Sequence, residues 1–147
     1  MVELFLILAA LLGLGIGYTV SHYSLAVHID PEEVENLFPN LSRRRQAFLA
    51  RLTEDPGTFR QVATIFKALV LIIVSAIACR LAGQLAVAMS WTWGAAAIPS
   101  LFVAWLLYLL AVEYLPRRFA RENSPDKLIR RLWLIRIVYA LLLPLAA

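Results

Sequence analysis

Charge is scarce in this sequence. Asp, Glu, Lys and Arg make up 16 % of its 147 residues, against a hydrophobic share of 61 %. A soluble domain of this length carries about a quarter charged residues, so a surface wetted on all sides is not expected, and lipid is the solvent that fits. Cysteine is nearly absent. Cys79 is the only one, which excludes an internal disulfide frame or thiolate metal cluster and leaves it a small apolar residue in a helix. There is no phosphate-cradling glycine loop and no nucleophile elbow, so the signatures of nucleotide hydrolases and of serine hydrolases are missing. The first stretch lacks the basic region of a secretory leader, since Glu3 is the only charge before Asp30. It also lacks a small-x-small cleavage site, so Met1 to about Ala26 reads as a spanning helix, with a cleaved leader as the alternative.

What is present is three long apolar runs. They predict an all-α membrane protein with spans at about 4–27, 59–82 and 95–114, each near the ~20 residues that a hydrocarbon layer of ~30 Å requires. Gly13 and Gly17 in the first run match a small-x-x-x-small packing motif, with Gly15 between them. Asp55-Pro56-Gly57 is a turn that returns the chain to the bilayer. Gly83 to Trp93 is a short connection whose Trp91 and Trp93 suit an interfacial belt. Pro99 predicts a kink one turn into the third run, which ends at Glu113 before Leu115-Pro116.

Twelve of the fourteen Lys and Arg residues lie in two blocks beside these runs. Asp30 as N-cap and Pro31 at the first helical position open a juxtamembrane helical pair over about 31–53. Pro39-Asn40 divides that pair, and Ser42 can cap its second helix. There Phe48, Leu49 and Leu52 form an apolar stripe opposite Arg43, Arg44, Arg45 and Arg51, a pattern that lies along a membrane surface or, alternatively, forms a solvated connector. Beyond Arg117, Arg118 and Arg121, a turn at Asn123-Ser124-Pro125 leads into a second amphipathic helix over about 126–146. In it Lys127, Arg130 and Arg131 share one face, and Leu128, Ile129, Leu132 and Ile135 the other. Its apolar tail from Ile137 is too short to span alone. The basic residues Arg43, Arg44, Arg45, Arg117, Arg118, Arg130 and Arg131 form a lipid-facing belt. The nearly cation-free connection between spans two and three then places the N-terminus outside and the belt and C-terminus in the cytoplasm, in the cytoplasmic (inner) membrane. Nucleic acid is not an expected partner, because no nucleic-acid module accompanies the cations.

Lys67 is the costly residue, because an ammonium at that depth must snorkel to the headgroups or find a carboxylate. Two readings stand open: an ion pair with Glu113, or a snorkelling Lys67 with Glu113 solvated at the interface. His22 and His28 are six apart and have no third ligand, so metal binding by them is not expected. Ser21, His22 and Glu113 have the residue types of a triad without an oxyanion loop, and no enzyme activity is expected.

The order of features resembles the transmembrane domain of the CorC/cyclin M magnesium-transporter family: one span, a juxtamembrane helical pair, two spans, then Glu-x-Leu-Pro and basic residues. The matching stretches are Glu54-Asp55-Pro56 with Phe59, Glu113-Tyr114-Leu115-Pro116-Arg117, and Ala120-Arg121-Glu122-Asn123 through Leu145. The resemblance covers nearly the whole chain. It implies a dimer, either with itself or with a complete family member bearing the cystathionine-synthase-type modules that this chain is expected to lack. It further implies a magnesium ion held by oxygens of Ser21, Ser24 and Glu113. The family's two span-two asparagines fall at about Lys67 and Leu71, and its acidic span-one position at Tyr23. With an ammonium at a ligand position the expected ion site is degenerate, so the resemblance implies a transport-impaired or partner subunit. A membrane adaptor binding anionic lipid or a cytosolic protein is the alternative from a different class. An active transporter using Glu113, Ser21 and Ser24 is the third reading.

Overall fold

A computed structural model describes residues 2–26, 39, 41–119 and 125–146, and among them there are helices and short connections but no strand. In chain order they are α1 (Val2–Ala26), α2 (Arg43–Glu54), α3 (Pro56–Met89) and α4 (Trp93–Tyr108). A π-helical turn (Leu109–Tyr114) joins α4 to α5 (Leu115–Phe119), and α6 (Pro125–Ala146) follows. The chain is an all-helical membrane protein: α1, α3 and the run from Trp93 to Phe119 are each long and apolar enough to cross a bilayer. The expected helix from Pro31, His28, and the turn at Asn123-Ser124 lie outside the described residues.

Asp55 starts α3 as its N-cap, with Pro56 in the first turn. The Thr58 backbone N–H donates to Asp55 Oδ1 at 3.1 Å and the Thr58 hydroxyl donates to Oδ2 at 2.6 Å. These bonds favour the ionised carboxyl and hold it below the usual carboxylate range. Ser42 behaves differently from expectation. Its side chain makes no capping hydrogen bond, and its carbonyl instead accepts the Arg45 and Gln46 N–H groups at 2.8 and 3.1 Å.

Two helix ends depart from the sequence reading. The second span does not stop near Ala82: α3 runs 34 residues, to Met89. Gly83 lies inside it beside Trp93, whose Nε1 would be 4.0 Å from an added Cβ. A glycine costs an exposed helix about 1 kcal/mol, but in lipid an unpaired backbone costs more, so the helix continues through it. It ends at Ser90, which adopts left-handed φ 54°, while the Trp91 N–H reaches back to the Ala86 carbonyl at 3.0 Å. That 6→1 bond closes the helix in the manner usually given to glycine. The third span likewise does not end at Glu113 but runs on to Phe119. An α-turn there would press the Pro116 ring against the Val112 carbonyl. The wider π-turn lies directly ahead of that proline, with the Leu115 N–H donating to the Leu110 carbonyl.

The spans pack as antiparallel neighbours. Glu3 of α1 accepts a hydrogen bond from Gln84 of α3 at 2.9 Å, and fourteen residues along each helix Gly17 rests on Val70. Ala82 and Ala86 of α3 close against Ala96 and Ala97 of α4. In the middle, Leu14, Val70, Val74, Ala78, Ala104, Tyr108 and Val112 form a second buried layer. Lipid is as apolar as these side chains, so close van der Waals contact between small residues holds the layers together.

At the end where α1 finishes and α3 begins, the core is wider. Leu49 and Leu52 of α2 meet Val20 and Tyr23, Phe59 and Val62, and Leu132, Ile135, Tyr139 and Leu142 of α6. Tyr139 contacts both Phe48, edge to face at 5.9 Å, and Phe59 at 6.3 Å. The α2 stripe therefore packs on protein, and α6 is a packed helix crossing α1 and α3 near one end of the bundle.

Candidate functional site

An ammonium on an apolar helix needs compensation within reach of its four-carbon stem. Lys67 sits on α3 one turn before Val70, on the side that meets the third span. Its Nζ lies 2.9 Å from Glu113 Oε1, and the two side chains are 21 % and 28 % exposed. Glu113's other oxygen is also engaged. Arg117, one turn further on, brings Nη2 to 3.2 Å of Oε2 from an exposed position. One carboxylate thus holds two cations, leaving a local charge of +1 by simple addition.

The backbone around Glu113 explains its aim. Glu113 lies within the π-turn, immediately after Val112, which is fully buried. Val112 seats on α1 at Gly17, where an added Cβ would meet Val112 Cγ2 at 3.0 Å and Val70 Cγ1 at 3.7 Å. With Val112 fixed against α1, the next side chain is rotated by about a quarter turn of helix toward α3 and Lys67. Gly13 and Gly15 have nothing within 4 Å of an added Cβ. Of the three glycines in α1, Gly17 alone serves close packing within the chain.

The other expected ligands are arranged differently. Ser21 is buried one turn after Gly17, and Ser24 donates its hydroxyl to the Ser21 carbonyl at 2.8 Å. No hydrogen bond joins either serine to Glu113 among the described residues. Tyr23 lies in the core among α2, α3 and α6, and Leu71 packs beside the middle layer. His22 is buried and stacks on Tyr18 at 5.8 Å. No group of three or more His, Cys, Asp or Glu residues placed to hold a metal occurs among the described residues. A hard dication takes oxygen donors in a near-octahedral shell. The one carboxylate here is occupied on both oxygens by cationic nitrogens, so the arrangement as it stands does not fit such an ion.

The belt residues Arg43, Arg44, Arg45, Arg117, Arg118, Arg130 and Arg131 are all exposed. Arg131 lies over the Tyr18 ring at 5.9 Å. Two features escaped the sequence reading. Arg117 as a second partner of Glu113 was signalled by its i, i+4 spacing, whereas the π-turn that aims Glu113 has no local sequence signature beyond Pro116. Comparison of the chain with protein-family models, with curated proteins and with solved structures returns no match.

Proposed function

We propose that this chain is an integral membrane subunit of the divalent-cation transporter type, related to the CorC/cyclin M family, in which the Lys67 ammonium takes the place of the transported magnesium. The observation that carries the reading is the 2.9 Å contact between Lys67 Nζ and Glu113 Oε1. It puts a fixed positive charge on the carboxylate that a dication would need. A subunit of this kind conducts poorly alone and acts as a dimer partner, with a second copy or with a complete relative that supplies a working site. Its N-terminus is outside and its arginine belt faces the cytoplasm of the inner membrane, as the charge bias of the connections favours.

The test is thermal stability of the purified protein in detergent with and without magnesium chloride, for the parent and for Lys67→Asn. The parent is expected to show no magnesium-dependent rise in Tm, and Lys67→Asn to gain one of several degrees, because a ligand that binds only the folded state raises stability by mass action. A strong response in the parent would instead support an active transporter using Glu113, Ser21 and Ser24, and no response in either protein would remove the ion-site reading. The adaptor reading draws support from the exposure of Arg43, Arg44 and Arg45 on α2. An absent magnesium response in both proteins, combined with binding to anionic vesicles that is lost when Arg43, Arg44 and Arg45 are changed to Gln, would favour it.

A further inference from the structure

Where α3 enters the bundle, a pocket of about 400 Å³ opens between it and the end of α6, lined by Arg60, Gln61, Thr64, Ile65 and Leu145. Its chemistry changes along α3. Arg60, Gln61 and Thr64 supply a guanidinium, an amide and a hydroxyl, and Ile65, with the exposed Leu145 of α6, supplies apolar surface. Arg60 is exposed and has no ion pair among the described residues. The Thr64 hydroxyl donates to the Arg60 carbonyl at 2.9 Å, which leaves its oxygen able to accept but directs its proton to the backbone. Donors toward a ligand therefore come from Arg60 and Gln61. Beyond Ile65 the apolar surface continues along α3 through Leu69, Ile72 and Ile73, which are 40 %, 63 % and 51 % exposed. Ile65, Leu69 and Ile72 follow one another at i, i+4, i+7, a single strip down the helix.

We infer that this pocket is a discrete binding site for one anionic phospholipid. Its phosphate pairs with Arg60 and Gln61, and an acyl chain runs from Ile65 and Leu145 down the Leu69–Ile72 strip. A guanidinium offers the two-pronged geometry that suits phosphate oxygens. A soluble phosphate would use only the polar part of the lining, whereas a lipid uses both the polar and the apolar parts. The site is separate from the Lys67–Glu113 pair and does not depend on what that pair does.

The experiment measures Tm and retained lipid by native mass spectrometry in detergent, adding phosphatidylglycerol, phosphatidylcholine or inorganic phosphate. Phosphatidylglycerol is expected to raise the parent Tm by several degrees and to remain bound one per chain, with little effect from the other two. Arg60→Gln should weaken the response by roughly ten- to a hundredfold in apparent affinity, the worth of a charge-assisted contact. Arg136→Gln removes the same charge from an exposed position of α6 outside both the pocket and the arginine belt, and should leave the response intact. Leu145→Trp keeps every charge while adding bulk to the apolar part of the lining, and should abolish the response even if Arg60→Gln proves too unstable to purify. The inference is overturned if inorganic phosphate or phosphatidylcholine reproduces the effect. Equal loss in Arg136→Gln, or an unchanged response in Leu145→Trp, would overturn it as well.

Discussion

At the scale of single residues, Glu113 is the group on which the two neighbouring charges depend. Its contact with Lys67 spans two helices and is partly buried, whereas its contact with Arg117 is a surface pair on one helix. A buried pair as a whole roughly breaks even against an apolar replacement, but stripping one member leaves the other charge uncompensated, at about 3–5 kcal/mol. Exposed pairs of the i, i+4 kind are worth about 0.3–0.5 kcal/mol. Lys67→Ala or Glu113→Ala should therefore destabilise strongly, the double substitution should recover much of the loss, and Arg117→Ala should change stability little. Equilibrium unfolding in mixed micelles would check this, and a double mutant costing the full sum of the singles would show that the two groups are not coupled. Lys67 and Glu113 were legible as candidate partners because lipid offers an ammonium so few alternatives. Which way each points was not legible, since it depends on Val112 and Gly17 meeting across the bundle.

At the scale of elements, the π-turn and the face of α1 act as a unit. Gly17→Ala would force Val112 outward from a 3.0 Å approach. Overpacking of that kind costs about 1–3 kcal/mol, and it would shift Glu113 away from Lys67. Gly13→Ala, with open space around it, should instead be neutral or slightly stabilising, since alanine is the better helix former. Comparing the thermal midpoints of the two variants tests the assignment, and equal losses would sink it. The spans themselves were readable from apolar run length, because nothing else satisfies a backbone in lipid. Their ends were not. Gly83 and Pro116 read as stops under rules set by water, yet α3 and the third span pass through both, one by ordinary helix and the other by widening a turn.

For the whole molecule, the bundle is built unevenly. Its alanine layer is thin and close, while the opposite end is broadened by α2 and α6 around Tyr139, Phe48 and Phe59. That wide end borders water, so ordinary burial of apolar surface contributes there in a way it does not at mid-bundle. Tyr139→Ala should cost about 3–5 kcal/mol by analogy with other large-to-small aromatic changes. It should loosen α2 and α6 before it separates the spans, which hydrogen exchange resolved by segment would detect. Uniform loss of protection along α1, α3 and α4 would contradict that order. The periodic leucines and arginines of α2 and α6 disclosed two amphipathic helices in the sequence. They did not disclose that the apolar faces find each other, because a stripe that suits a membrane surface equally suits a neighbouring helix.

The contact between Lys67 and Glu113 spans 46 residues of sequence, and this bears on how the protein is made. At a synthesis rate of about 5–20 residues per second, the carboxylate follows the ammonium out of the ribosome by roughly two to nine seconds. During that interval α3 carries an unmatched charge and resists settling into hydrocarbon alone. The second and third spans are therefore expected to enter the bilayer together as a hairpin, and a nascent chain truncated before Glu113 should leave α3 less firmly inserted than one that extends past it.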